Sequence, residues 1–466
     1  MPTIAKTHAR SAGLFAILLV TTALCGSSPA ALAVEKAPAA GPPLSVSKAL
    51  MLRAKGGRNP TVATDQRSGA VYLAWAQEVA GPAAKQGKKA DPVLQVLIAR
   101  SNDGGRSFGP PVVVNSPQDH VVSYTVSPTQ VAVGSRGEIY VLYEHNDRDF
   151  KVPGNWKWGR GVLRLARSED GGRSFGPPIE VGGESVEDAV TTIEMLNLFA
   201  APSGDLYASW LDSREVFAYL FAHQKEPPDD AYPPYQLRVA RSTDGGRTFA
   251  KSVLVSKPTC GCCGTKVAQG ANGPLYATTR AQWKELKGSY DDVRDIFVST
   301  SRDHGVIWSK PIKVHDDRFK ISGCPDVTSG LTVDSRGRLH AAWYTGTDRH
   351  PGVFYARSED EGKTFSKPLA LLADDWVPYG DVKLALDAKD HAWVAFEDRR
   401  GEQDLIQLAQ ISPEGTLALS PAWPGTAPDV AVQGETAIVT WGTQAAEGED
   451  EGGAIRWLTA SPSQAR

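Results

Sequence analysis

The stretch Ala99–Phe108, reading Ala-Arg-Ser-Asn-Asp-Gly-Gly-Arg-Ser-Phe, limits what this chain can fold into more than any other feature. It returns at Ala166–Phe175, Ala240–Phe249 and Ala356–Phe365, and in a weaker copy at Thr300–Trp308. The shared frame is Ser-x-Asp-x-Gly-x-Ser/Thr-aromatic. The Asp carboxylate can accept hydrogen bonds from backbone N–H groups of the turn it opens. Gly supplies the positive φ of a tight strand reversal. The aromatic folds back under the hairpin as a small satellite core. Each copy therefore reads as a hairpin clasp.

Successive clasps lie 67, 74, 59 and 57 residues apart, Ser to Ser, and a repeat at that period signals stacked units. A second pattern recurs out of phase with the first. It is a strand reading apolar-x-x-x-aromatic, at Val71–Trp75, Ile139–Tyr143, Leu206–Trp210 and Leu339–Trp343, with looser copies at Leu275–Thr279, Ala392–Phe396 and Ala437–Trp441. The unit is thus strand, strand, long loop, strand, clasp, strand: a four-stranded antiparallel blade. Blades repeated about an axis make an all-β propeller. The count predicts seven blades, with six as the alternative, and Leu44–Leu52 is placed to give the last blade its outer strand and close the ring.

The clasp resembles the Asp box of the sialidase-like, or BNR-repeat, propellers, and the likeness covers nearly all of the chain after its leader. In that family the boxes lie at the blade periphery. The resemblance therefore implies a structural role for Asp103, Asp170, Asp244, Asp303 and Asp360. It implies a site at the central channel, where inter-blade loops gather, and six blades would be usual.

Residues 1–33 read as a secretory signal peptide: Lys6, His8 and Arg10, an apolar run from Ala12 to Leu24, and Ala31-Leu32-Ala33 as the cleavage site. Leu24 is too bulky for a lipobox before Cys25. Residues 34–45 read as a flexible lead-in and 46–466 as a single propeller domain. The expected location is periplasmic or secreted, as a monomer without a membrane span. A net charge of −3 offers no basic patch for nucleic acid.

The sharpest constellation is cysteine. Cys260, Cys262 and Cys263 stand in Pro-Thr-Cys-Gly-Cys-Cys-Gly, and Cys324 in Ser-Gly-Cys-Pro-Asp. Both stretches are inter-blade loops of the same class, one blade apart, so repeat phase places all four beside the channel. Disulfides suit an exported protein. A thiolate metal site is the alternative, and Cys-x-Cys-Cys departs from the usual zinc spacing, so Cu(I) is as suitable as zinc. A redox-active thiol pair is the third reading.

Sialidases clamp the substrate carboxylate with three arginines and use a Tyr nucleophile backed by Glu, with an Asp acid/base. Their first arginine lies in Phe/Tyr-Arg-Ile-Pro, and here Gly57-Arg58-Asn59-Pro60 keeps only Arg58 and Pro60 of that motif. The planar fork of arginine suits such a clamp. Chemistry nominates Arg280, Arg294 and Arg349 as further cations. Tyr379 and Asp381 lie in a loop rich in carboxylates and aromatics. Glu184, Glu187, Asp188 and Glu194 are expected in the loop before blade 3. Loop histidines His120, His145, His223 and His350 are candidate ligands. Trp156, Trp158 and the loop Leu211–Gln236 are candidates for stacking on sugars. The resulting expectation is a propeller that binds a glycan or small anionic ligand at its channel mouth. A sialidase-type glycoside hydrolase and a copper, zinc or redox protein are the alternatives.

Overall fold

The computed structural model describes residues 39–463, apart from 53, 55, 82–91, 154–158, 183–192, 229–231, 272, 282, 285–291, 322 and 444–452. The leader at 1–33, Trp156, Trp158, Glu184, Glu187, Asp188 and most of the acidic stretch Gln444–Gly453 lie outside the described residues.

Among the described residues the chain forms eight antiparallel sheets, of which seven are blades in order and the eighth is a small three-stranded sheet of Trp283–Lys284, Asp292–Val293 and Lys320–Ile321. Blade 1 runs Gly57–Thr64, Val71–Val79, Val93–Ser101 and Val112–Val113 from the inside outwards. The first strands of the others are Gln130–Val133, Ile193–Ala200, Lys266–Gln269, Ser329–Val333, Val382–Leu386 and Thr426–Gln433. Each of these strands packs against its neighbours, and Thr426–Gln433 meets Gly57–Thr64 to complete the ring. The count is seven, not the six usual of the family. Leu44–Val46 pairs with Ala454–Pro462, Leu44 opposite Pro462, and Leu50–Leu52 pairs further along the same strand. The last blade thus takes its outer strand from the start of the propeller, which leaves no long free edge.

The apolar-x-x-x-aromatic strands are the second strand of each blade. Trp75, Trp210, Trp343, Phe396 and Trp441 are fully buried there, between one blade and the next. Burying a side chain as large as Phe396 contributes about 2 kcal/mol or more. One helix stands among the described residues. Arg214–His223 replaces what the sequence reads as loop after Leu211, and Val216, Phe217 and Leu220 are its buried face. Asp212 ends the preceding strand and starts this helix, accepting the Arg214 N–H at 2.9 Å and its guanidinium at 2.8 and 2.9 Å.

The clasps do two things. Within the turn, Asp103 Oδ1 accepts from the Ser101 hydroxyl at 2.7 Å and the Ser107 N–H at 2.9 Å, and Asp103 Oδ2 from the Ser107 hydroxyl. Asp170, Asp244 and Asp360 repeat this pattern. The Ser107 hydroxyl, then Ser101, hold the Asp103 carboxyl down at about 2. In the weaker copy Ile307 takes the place of the second hydroxyl, and Asp303 keeps the Ser301 hydroxyl and the Ile307 N–H.

Between blades, the second glycine of the clasp lies against the preceding blade. A Cβ on Gly246, at φ +75°, would lie 2.9 Å from the Tyr140 ring, and one on Gly172 3.2 Å from Tyr72. Across the closing seam the Trp457 ring N–H donates to Gly105 O at 2.9 Å and Phe108 meets Trp457 edge-on. The glycine therefore serves both the turn and the close approach of two blades. Asp244→Ala removes four acceptor contacts from the blade 3 clasp and is expected to lower stability by about 1–2 kcal/mol. Urea unfolding of the wild type and variant measures it, and an unchanged midpoint would mean that the clasp adds nothing to stability.

Candidate functional site

The two cysteine loops lead directly into the first strands of blades 4 and 5, Lys266–Gln269 and Ser329–Val333. They touch each other. The Gly264 N–H donates to Val327 O at 3.0 Å, and a Cβ on Gly264 would lie 2.9 Å from the Thr328 side chain. Gly261 lies equally close to the Tyr235 ring, where a Cβ would be 2.8 Å away. Small residues at 261 and 264 thus let the loop lie flat on its neighbours. The Cys260 N–H closes the other side by donating to Arg280 O at 2.8 Å.

In this frame Cys260 Sγ lies 3.4 Å from Cys262 Sγ and 3.0 Å from Cys263 Sγ. All three are buried, and the four cysteines among the described residues are unbridged. Cys262 is shared with a second group, in which the sulfurs of Cys262 and Cys324 and a carboxylate oxygen of Asp326 lie within 4.8 Å of one another. Cys324 and Asp326 are exposed. The Arg294 guanidinium donates from Nη1 to Cys260 Sγ at 2.9 Å and is itself buried. Arg280, also buried, donates to the carbonyls of Arg294 and Tyr344, the latter at 2.8 Å. Hydrogen bonds from Cys262 and Cys263, with Arg294 beside it, hold the Cys260 thiol well below its ordinary range. Burial and the charge on Cys260 push Cys263 the other way. Cys260 Sγ thus lies beside two further sulfurs and a guanidinium.

The other nominated residues have separate surroundings. Arg58 is paired with Glu78 at the start of blade 1. Arg349 and His350 are exposed. Tyr379 is 43% exposed and stacks under the Arg399 guanidinium, 5.8 Å from its ring centre. Asp381 is buried and accepts from the Thr328 N–H at 3.1 Å and the Thr328 hydroxyl at 2.9 Å. Three placements differ from the sequence reading. His145 belongs to the second strand of blade 2, where its Nδ1 accepts the His120 N–H at 2.9 Å. His223 ends the helix, and Glu194 lies in the first strand of blade 3.

Several charged residues escaped sequence reasoning. Glu397, at the end of the second strand of blade 6, accepts the Asp381 N–H at 3.1 Å and the Ala427 N–H at 2.7 Å. It thereby ties the entry of the first strand of blade 6 to the first strand of blade 7. Lys266 and Lys383 lie on inner strands with Asp429, and burial, then Lys383, push Lys266 down to about 8. Charged residues in inner strands are the signal that would have found Lys266, Lys383 and Asp429. For Glu397 no local motif exists.

These features define a β-propeller with seven blades. Solved structures of similar fold include a protein of unknown function from Dyadobacter fermentans. It is 15% identical, with a TM-score of 0.50, and the match covers 91% of this chain and all of that one. A Hadza microbial sialidase is 17% identical with a TM-score of 0.49 over 74% of this chain, which spans 64% of the sialidase's length. An α-L-arabinofuranosidase from Fusarium graminearum is 14% identical with a TM-score of 0.45, over 83% of this chain and 97% of that one. No family profile matches the chain, and no curated protein does.

Burial, then the neighbouring Asp381, raise the Glu397 carboxyl from 4.5 to about 7. Between those two values the folded state binds the proton and the unfolded state does not, so stability falls as pH rises through that window. Glu397→Gln is expected to flatten the dependence of Tm on pH between about 5 and 8. Thermal unfolding across that range checks it, and an unchanged slope would show the carboxyl to be ordinary.

Proposed function

We propose that the mouth of this propeller holds a soft monovalent metal ion, Cu(I), on the thiolates of Cys260, Cys262 and Cys263. The convergence of three buried sulfurs carries this reading. Arg294 donates to Cys260 Sγ at 2.9 Å, which favours a thiolate at that position. All three sulfurs lie within bonding reach of a single ion. Sulfur-only donors suit soft ions, Cu(I) and Zn(II) among them, and the Cys-x-Cys-Cys spacing departs from that of structural zinc. Uptake releases the remaining thiol protons. The site would serve an exported protein as a place to bind or carry copper.

The test is anaerobic titration of reduced protein with Cu(I) against a chromogenic chelator. One tightly held ion per chain is expected, with only sulfur neighbours in X-ray absorption. Cys263→Ser is expected to weaken it by about 100-fold or more. Reduced protein that takes up no Cu(I), with its thiols found paired by alkylation and mass spectrometry, would sink the reading. Tighter retention of Zn(II) would reassign the ion.

A second reading, a glycan or small anionic ligand on the rim, has its own support. Trp376 is 66% exposed in the same inter-blade loop as Tyr379, whose ring is backed by Arg399. Exposed aromatics of this kind stack on sugar rings. Calorimetry with acidic oligosaccharides is expected to show binding that Trp376→Ala abolishes. No heat from any of them removes this reading.

A further inference from the structure

We infer that Cys324 and Asp326 form an inlet to the buried cysteine triplet, receiving Cu(I) from a small-thiol or thioether donor and passing it inward through Cys262. The inference rests on the thiolate-site reading above and adds the route by which the ion is loaded. Its basis is that the two donor groups differ in burial and chemistry yet share one sulfur. Cys260, Cys262 and Cys263 are buried, so a complex of Cu(I) with its donor cannot reach them directly. Cys324 and Asp326 are exposed and lie within 4.8 Å of the Cys262 ligand atom. The loop that carries them is fixed against the triplet by the Gly264–Val327 hydrogen bond, and the Thr328 that follows is held by Asp381. Asp326 itself takes a φ of +45°, a conformation uncommon outside glycine.

The chemistry runs downhill. The outer group offers two sulfurs and one carboxylate oxygen, and oxygen is a poor ligand for a soft ion. The inner group offers three sulfurs. An ion arriving with its donor's ligand bonds first to Cys324, whose thiol proton leaves to solvent as the donor's bond breaks. It next bonds to Cys262 and to an Asp326 oxygen, and the Cys262 thiol proton also leaves to solvent. The bonds to Cys324 and Asp326 are then replaced one at a time by bonds to Cys260 and Cys263, whose thiol protons pass to the departing Cys324 thiolate and to solvent. Copper stays monovalent throughout, so no oxidant or reductant is required. Cys262 is the pivot because it alone belongs to both groups.

The experiment is stopped-flow loading of the reduced full chain from glutathione-bound Cu(I), followed by near-ultraviolet thiolate-to-copper absorption, with equilibrium affinity measured separately against the chelator. Cys324→Ser is expected to load about tenfold more slowly and to keep an affinity within about threefold of wild type. Asp326→Asn is expected to act in the same direction with a smaller effect. Loading of Cys324→Ser at the wild-type rate would overturn the inlet. An affinity loss as large as the rate loss would also overturn it, by making Cys324 a permanent ligand. If wild-type protein takes up no Cu(I), the thiolate-site reading fails first, and the inlet falls with it.

Discussion

Every pair of neighbouring blades is joined by a side-chain hydrogen bond made at or beside the inner strands, and the rest of the molecule depends on that ring. Thr61 bonds to Thr129 O, Asn197 to Gln130 and to the Val267 N–H, and Thr278 to Ser329. Thr328 meets Asp381, Glu397 meets Ala427, and Thr64 meets Val432 O, which completes the circle. Polar groups on the inner strands must find partners when they leave water. Those partners lie in the next blade. The ring is therefore held by specific polar contacts inside and by apolar packing between the second strands outside.

The cysteine loops exploit this geometry. They enter inner strands of adjacent blades, so the bond from Gly264 to Val327 belongs to the same set of inter-blade links. Arg280 and Arg294, which the sequence offers as a carboxylate clamp, bring buried positive charge to this corner instead. Arg280 is spent on two carbonyls, and Arg294 reaches Cys260. Buried positive charge beside sulfur is the kind of surrounding that favours a thiolate.

The clasps were legible because their chemistry is local: five residue types within eight positions specify a turn without help from elsewhere. The second strands were legible for a similar reason, since one aromatic position repeats with the blade, and those two periods together predicted seven sheets. The helix Arg214–His223 was not read. It depends on Asp212 holding Arg214 at a strand end, and its apolar face is only three side chains wide. Repeat phase says that the loops of Cys263 and Cys324 precede neighbouring blades. It cannot say that Arg294 from a third loop bonds to Cys260, or that Asp381 and Glu397 are joined across blades 5 to 7. Such contacts are products of closure, made by residues far apart in the chain.

Leu44 lies opposite Pro462, and the Ser463 N–H donates to Pro43 O, so the two limits of the propeller meet on a single pair of strands. The cut in the backbone is therefore arbitrary with respect to the architecture. A short peptide joining residue 463 to residue 43, with new ends opened in a surface turn between two other strands, would give a circularly permuted chain whose seventh blade is one uninterrupted hairpin stack. Any reporter fused at one natural limit of the propeller would stand beside a reporter fused at the other.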